Sequence, residues 1–261
     1  MSMVSAHALP HKLTLSLLLA VFALPFAHAQ LENASLPAAT NSTLPKLTPE
    51  QMGDVYMARK MFREAIESYR EGPKNSPIIW DKVGIAYHQL GDMNAARKNY
   101  EHAVKIDPKY ADAINNIGTV LYSQKKYRSA ISRYNKALSI APQTASIWSN
   151  LGTAWYARGN YTEMSKCYAK AIEIDPAVFE AHSAVGTALQ DRAVADKARY
   201  HFEMARIYAQ AGENDKALQY LRKSLEEGFK DKDKLSKAPE FAGLRETTEF
   251  KDLLSLEPRV L

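Results

Sequence analysis

Apolar and polar positions from residue 46 to about 210 alternate with the period of amphipathic helices, and the alternation itself recurs in blocks. Each block is anchored by a glycine: Gly53, Gly84, Gly118, Gly152 and Gly186, spaced 31, 34, 34 and 34 residues apart. The residue before each glycine is apolar (Met52, Val83, Ile117, Leu151, Val185). So is the residue three after it (Tyr56, Tyr87, Leu121, Trp155, Leu189), and Trp80 and Trp148 stand four before. Offsets of −4, −1, 0 and +3 share one face of a helix. A glycine inside a helix costs about 1 kcal/mol relative to alanine. Its recurrence at one phase therefore predicts close approach of another helix where a side chain would clash.

A second helix follows in every block. Twelve residues after the glycine come Ala65, Ala96, Ala130, Met164 and Ala198; sixteen after come Tyr69, Tyr100, Tyr134, Tyr168 and Phe202. Nineteen after come Gly72, Ala103, Ala137, Ala171 and Ala205. Small residues allow close packing, and the aromatic is expected to fill the gap between helices. Met164, where a small residue is expected, predicts looser or shifted packing. Pro77, Pro108, Pro142 and Pro176 end the blocks, because proline stops a helix and sets the turn into the next.

The sequence W-x-x-V-G-x-x-Y at 80–87, followed by Ala96, Tyr100 and Pro108, resembles a tetratricopeptide repeat, and five phased copies carry the same pattern. The resemblance implies an all-α fold, a right-handed superhelical solenoid of antiparallel helix pairs with five to six units. Residues 195–211 fit two registers: Ala198, Phe202 and Ala205 finish unit five, while Met204, Ala205 and Tyr208 open a sixth with Gly212, Ala217 and Leu221. One long helix serving both, with a last helix near 214–227, is expected. The organisation read from the chain is a signal peptide at 1–29, a flexible linker at 30–46, the solenoid at 47–229 and a cap of short helices at 230–261. A peptide-docking tail is the alternative for the last segment.

The N-terminal segment adds a destination. The apolar run 13–26 follows His7, His11 and Lys12 and precedes Ala27-His28-Ala29, an A-x-A cleavage pattern. It is shorter than the roughly 20 residues of a comfortable membrane span. Export with cleavage after Ala29 is expected, to the periplasm or outside the cell, leaving no stable span; an uncleaved anchor is the alternative. Residues 30–46, rich in Ser, Thr, Asn, Ala and Pro, lack a helical period, whereas 48–51 (TPEQ) reads as a capped helix start. The sequons at Asn33, Asn41 and Asn160 matter only in a glycosylating secretory pathway.

Charge and chemistry exclude more than they assign. The net charge is +5, with ten Lys or Arg against five Asp or Glu between 77 and 140. Many of these lie on second helices or turns, and an exported protein rarely meets nucleic acid, so no nucleic-acid partner is expected. Cys167, the single cysteine, cannot pair internally and reads as a buried small hydrophobe. No H-E-x-x-H, C-x-x-C, phosphate loop or G-x-S-x-G elbow occurs, so no catalytic residue, metal or cofactor is assigned.

Polar positions on the first helices are more informative. Offsets −3, +1 and +4 lie opposite the apolar stripe and −2 flanks it. Unit three places Asn115, Asn116, Thr119 and Tyr122 there; unit four places Ser149, Asn150, Thr153 and Tyr156; unit five places Ser183, Thr187 and Gln190. Asparagine both donates and accepts, so it can pair with an extended backbone of any sequence. Asn116 and Asn150, two before their glycines, resemble the asparagine ladders by which some tetratricopeptide proteins grip a peptide. The pattern weakens at Lys82 and Ala184. The expectation is a non-enzymatic scaffold that binds a peptide or protein segment in a concave groove. A structural subunit of a cell-envelope assembly, working through convex or C-terminal surfaces, is the alternative. Partner identity and oligomeric state stay open.

Overall fold

Thr48 starts the first helix with a reciprocal capping box: Gln51 N donates to its Oγ1 at 3.2 Å, and Thr48 N donates to Gln51 Oε1 at 2.9 Å. From there the computed structural model describes residues 46–179 and 194–255. The apolar run, the A-x-A pattern, the linker up to Pro45, and the unit-five segment holding Gly186, Ser183, Thr187 and Gln190 lie outside the described residues.

Eight helices form four successive antiparallel pairs. They are α1 (Pro49–Ala58), α2 (Phe62–Glu71), α3 (Pro77–Gln89), α4 (Met93–Ile106), α5 (Ala111–Ser123), α6 (Tyr127–Ile140), α7 (Ala145–Ala157) and α8 (Tyr161–Ile174). Ser76 caps α3 with Pro77 at its first position, and Asp92 and Asn160 cap α4 and α8. Within each pair the chain reverses through one left-handed residue, always seven after the phase glycine: Lys60, Gly91, Lys125 and Gly159, with φ of 59°, 79°, 59° and 75°.

The recurring glycines have a specific partner. A Cβ on Gly53, Gly84, Gly118 or Gly152 would lie 2.3, 2.4, 2.6 or 2.4 Å from the ring of Tyr69, Tyr100, Tyr134 or Tyr168. That tyrosine stands sixteen residues on, in the second helix of the same pair, and is almost wholly buried in every case. The close approach is thus helix to aromatic ring, and the glycine is the socket for that ring.

The end of the array follows the double register. The long helix α9 (Val194–Gln210) packs on α8 and pairs with α10 (Asn214–Glu226). The turn between them again uses a left-handed residue, Gly212, with φ 80°. Counting back seven places Ala205 in the glycine position, and counting sixteen on places Leu221 in the tyrosine position; both are fully buried. A smaller partner side chain here accompanies the extra methyl. Beyond α10 come α11 (Lys232–Lys237), a 3-10 turn (Pro239–Phe241) and α12 (Thr248–Ser255). Phe241, Leu244, Phe250 and Leu253 join the buried cluster of Phe202, Leu221 and Leu225, closing an otherwise open apolar end. Arg206 of α9 ties this closing segment down through Glu240 while also bonding Glu203 at 2.9 Å.

Twelve α-helices and no strand occur among the described residues: an all-α solenoid. Met164 is wholly enclosed in one cluster with Tyr156, Tyr161 and Tyr200. Its bulk fills that junction, where the sequence pattern predicts looser or shifted packing; the packing is not loose.

Candidate functional site

The polar positions of the first helices are joined from pair to pair by a repeated bond. Lys82 Nζ donates to Glu50 Oε1 at 2.7 Å, Asn116 Nδ2 to Asp81 Oδ1 at 3.0 Å, and Asn150 Nδ2 to Asn115 Oδ1 at 3.0 Å. In each the donor lies two residues before its own glycine. The acceptor lies three before the glycine of the preceding unit. Asn115 Nδ2 also donates to Asn116 Oδ1 at 3.3 Å, so Asn150, Asn115, Asn116 and Asp81 form one continuous chain. Lys82 reaches Asp54 as well, at 2.8 Å to each oxygen. The asparagine ladder therefore staples neighbouring repeats, and Lys82 continues it in ionic form.

A second recurring bond lies inside three of the four pairs. The residue after the phase glycine meets the hydroxyl of the ring tyrosine. Tyr69 Oη donates to Asp54 at 2.7 Å, Tyr134 Oη to Thr119 Oγ1 at 3.4 Å, and Tyr168 Oη lies 3.0 Å from Thr153 Oγ1. Thr153 also donates to Ser149 O at 2.9 Å, so its hydroxyl accepts from Tyr168. Unit two has Ile85 at that place and cannot make the bond.

These contacts redistribute the residues expected in a groove. Asn115, Asn116, Thr119, Tyr122 and Asn150 are half-buried and lie together on α5 and α7. Ser149 and Thr153 are buried, at 8% and 3% exposure, and act as framework. Tyr156 does not line a groove at all. It is fully enclosed, its ring 5.1 Å from that of Tyr200 and 5.8 Å from that of Tyr161. The reason is tertiary: α9, arriving from the irregular end of the array, lays Tyr200 over a helix face that the regular period leaves open. Ser183 and Thr187 are outside the described residues.

Sequence reasoning missed Asp81. It is only 4% exposed, and burial pushes its carboxyl up to about 6, helped by the nearby charge of Asp112 and opposed by the bond from Asn116. The signal was available in the offset rule, since Asp81 stands where Asn115 stands one unit later. Asp54 shows the opposite balance. Burial works against its charge, but the bonds from Lys82 and Tyr69 prevail and hold it below the usual carboxylate range. Cys167 is buried, and burial drives its thiol up to about 12. No group of three or more metal-ligating side chains occurs among the described residues. What the row offers a ligand is amide chemistry: Asn150 Oδ1 and its second N–H, and the second N–H of Asn116, have no partner among the described residues.

Stacked antiparallel helix pairs with this recurring socket and staple define a helical repeat protein of the kind that mediates protein–protein interaction. The particular repeat is the tetratricopeptide repeat: three family models of that description match residues 78–143, 115–177 and 198–227. The last match spans α9 and α10, the pair built on Ala205 and Leu221. The small glutamine-rich tetratricopeptide repeat-containing protein 2 of Mycosarcoma maydis is 32% identical over 82 residues, 30% of this chain and 23% of that protein. The heat-shock protein cognate co-chaperone sgt12 of Aspergillus fumigatus is 31% identical over 108 residues, 40% of this chain and 31% of that protein. The chain thus spans less than a third of either relative's length. Among solved structures, Pseudomonas aeruginosa pilF is similar in fold, with a TM-score of 0.50 at 19% identity over 79% of this chain and 85% of that one.

Proposed function

We propose that this chain is an exported, non-enzymatic scaffold that holds an extended peptide or protein segment against its first helices. The observation that carries the reading is the hydrogen-bonding capacity left on the Asn150–Asn115–Asn116 chain. The staples fix these amides in place before a ligand arrives, so little side-chain entropy is lost on binding. Their unpaired groups recur from α5 to α7 and suit a backbone of alternating donors and acceptors. Tyr122, half-buried at the end of α5, supplies apolar contact beside them. The name of the co-chaperone relative fits a scaffold that handles protein partners. Export is supported by the apolar run 13–26 and the A-x-A pattern at 27–29.

The test is a panel of uncharged, end-capped decapeptides titrated into the full chain, each paired with a version methylated on alternate backbone nitrogens. Binding carried by backbone hydrogen bonds is lost on methylation and weakened by Asn150→Ala, by about 5- to 150-fold for a lost buried partner. Equal affinity for both versions, with Asn150→Ala silent, overturns the groove reading. N-terminal sequencing of the protein from its native cell tests export: a mature chain starting at Gln30 supports it, and one retaining residues 1–29 refutes cleavage.

A further inference from the structure

Away from the asparagine row, the second helices of units one and two leave a hollow of about 410 Å³ over α3. Arg70 of α2, Lys98 and His102 of α4, and Trp80 and Tyr87 of α3 line it, and no acidic side chain among the described residues does. Its walls are set in advance. Trp80 Nε1 donates to Lys74 O at 2.7 Å, and the indole lies against the His102 ring with centroids 4.2 Å apart. Arg70 Nη2 donates to Tyr87 Oη at 2.9 Å, and its guanidinium carbon stands 5.7 Å from the centre of the same ring. Arg70 and Lys98 are exposed and form no ion pair with any described residue, although the neighbouring Arg97 is paired with Glu101 at 2.7 Å.

We propose that this hollow docks an acidic segment of a partner protein, with an apolar side chain against Trp80 and His102 and an adjacent Asp or Glu carboxylate on Arg70 and Lys98. Charge complementarity carries the assignment. Two free cations share an aromatic-walled hollow, and a guanidinium already oriented by one bond retains the N–H pair needed for a bidentate carboxylate contact. An apolar ligand alone would leave both cations unused. Nucleic acid fits less well, because it is held by neutralising many phosphates along a track. Here the adjoining hollow, which shares Arg70 and Tyr87, sets Glu67 and Asp92 beside Arg63, so no continuous positive track leads away from the site for a phosphate backbone to follow. The acidic pair also sets the limit of the site, placing the partner's carboxylate at the Trp80 end.

The experiment titrates the full chain with the end-capped peptide Asp-Phe-Glu-Asp-Phe-Glu, with its lysine counterpart Lys-Phe-Lys-Lys-Phe-Lys, and with a ten-residue thymidine oligonucleotide. The indole N–H resonance of Trp80 is the readout. The acidic peptide should shift it saturably and the lysine peptide should not. Raising salt from 50 to 300 mM should weaken the acidic peptide, and Arg70→Glu with Lys98→Glu should weaken it by about tenfold or more while helicity is unchanged. Lys98→Ala, a milder change at an exposed position, should weaken it by about threefold and serves if the double variant misfolds. Asn150→Ala should leave the effect intact, which separates this hollow from the asparagine row. Absence of a saturable shift, an equal response to the lysine peptide, or tighter binding of the oligonucleotide overturns the proposal.

Discussion

The side-chain amide of Asn116 donates to Oδ1 of Asp81, 35 residues and one helix pair earlier, at 3.0 Å. It is one of three bonds built on the same offset, so its energetic role is shared by the joints between α1 and α3, α3 and α5, and α5 and α7. Replacing Asn116 with alanine leaves a nearly buried carboxylate without its donor. The expected cost is about 1–3 kcal/mol. In a solenoid the loss should concentrate at the nearest joint. Urea unfolding should show the destabilisation, and hydrogen exchange should quicken most in α3 and α5. An unchanged midpoint would mean that the staple orients the amides without stabilising the stack.

Asp81 makes the same joint pH-dependent. Its carboxyl is raised to about 6 from an ordinary 3.8 by burial first, with Asp112 adding to the effect; Tyr100 of α4 and Tyr110 before α5 also face it. A folded-state value above the unfolded one means that the folded chain holds the proton more tightly. Stability attached to this group is therefore fully present below about pH 4 and falls as pH rises toward 6, by a total of ~3 kcal/mol. Asp81→Asn keeps an acceptor for Asn116 and removes the ionisation. Its thermal midpoint should exceed that of the wild type at pH 7.5, and the difference should shrink progressively as pH falls from about 6 to about 4. A constant difference across that range would rule out ionisation of Asp81 as the cause.

The contrast between socket and staple explains what could be read from the chain. The glycine-to-tyrosine distance of sixteen residues lies inside one repeat and uses the same two residue types four times, so it was visible. The staple runs between repeats and uses lysine with glutamate, asparagine with aspartate, and asparagine with asparagine. Only the geometry makes these equivalent. Read by residue type alone, Lys82 looked like a break in the asparagine pattern, whereas it is the same joint in ionic form. Tyr156 was misplaced for another reason: what covers it is Tyr200, contributed by a helix whose register is doubled. Periodicity predicts faces within the array but not what seals its end.

Cys167 provides a check on the core of unit four. Burial raises its thiol to about 12, so the thiolate fraction at pH 8 is on the order of 10⁻⁴ and the sulfur is shielded as well. An aromatic disulfide reagent should leave the native chain unmodified over hours and react with one thiol on unfolding in urea. Rapid reaction without denaturant would show that α7 and α8 open locally.

The socket itself can be tested by transplanting its variant form. Gly118→Ala should gain up to about 1 kcal/mol in helix propensity. Its new Cβ, however, would lie 2.6 Å from Cε1 of Tyr134, a ring locked in the core with no freedom to withdraw. Overpacking of this kind costs about 1–3 kcal/mol, so the single variant should be less stable than the wild type. Tyr134→Leu alone should also destabilise, through lost aromatic burial and the lost bond to Thr119. The double variant reproduces Ala205 with Leu221, the combination at the same two positions in the last pair. It should therefore be markedly more stable than the sum of the single effects predicts, with a favourable coupling of about 1–2 kcal/mol in a double-mutant cycle followed by urea unfolding. Strict additivity would show that the glycine recurs for a reason other than the ring it receives.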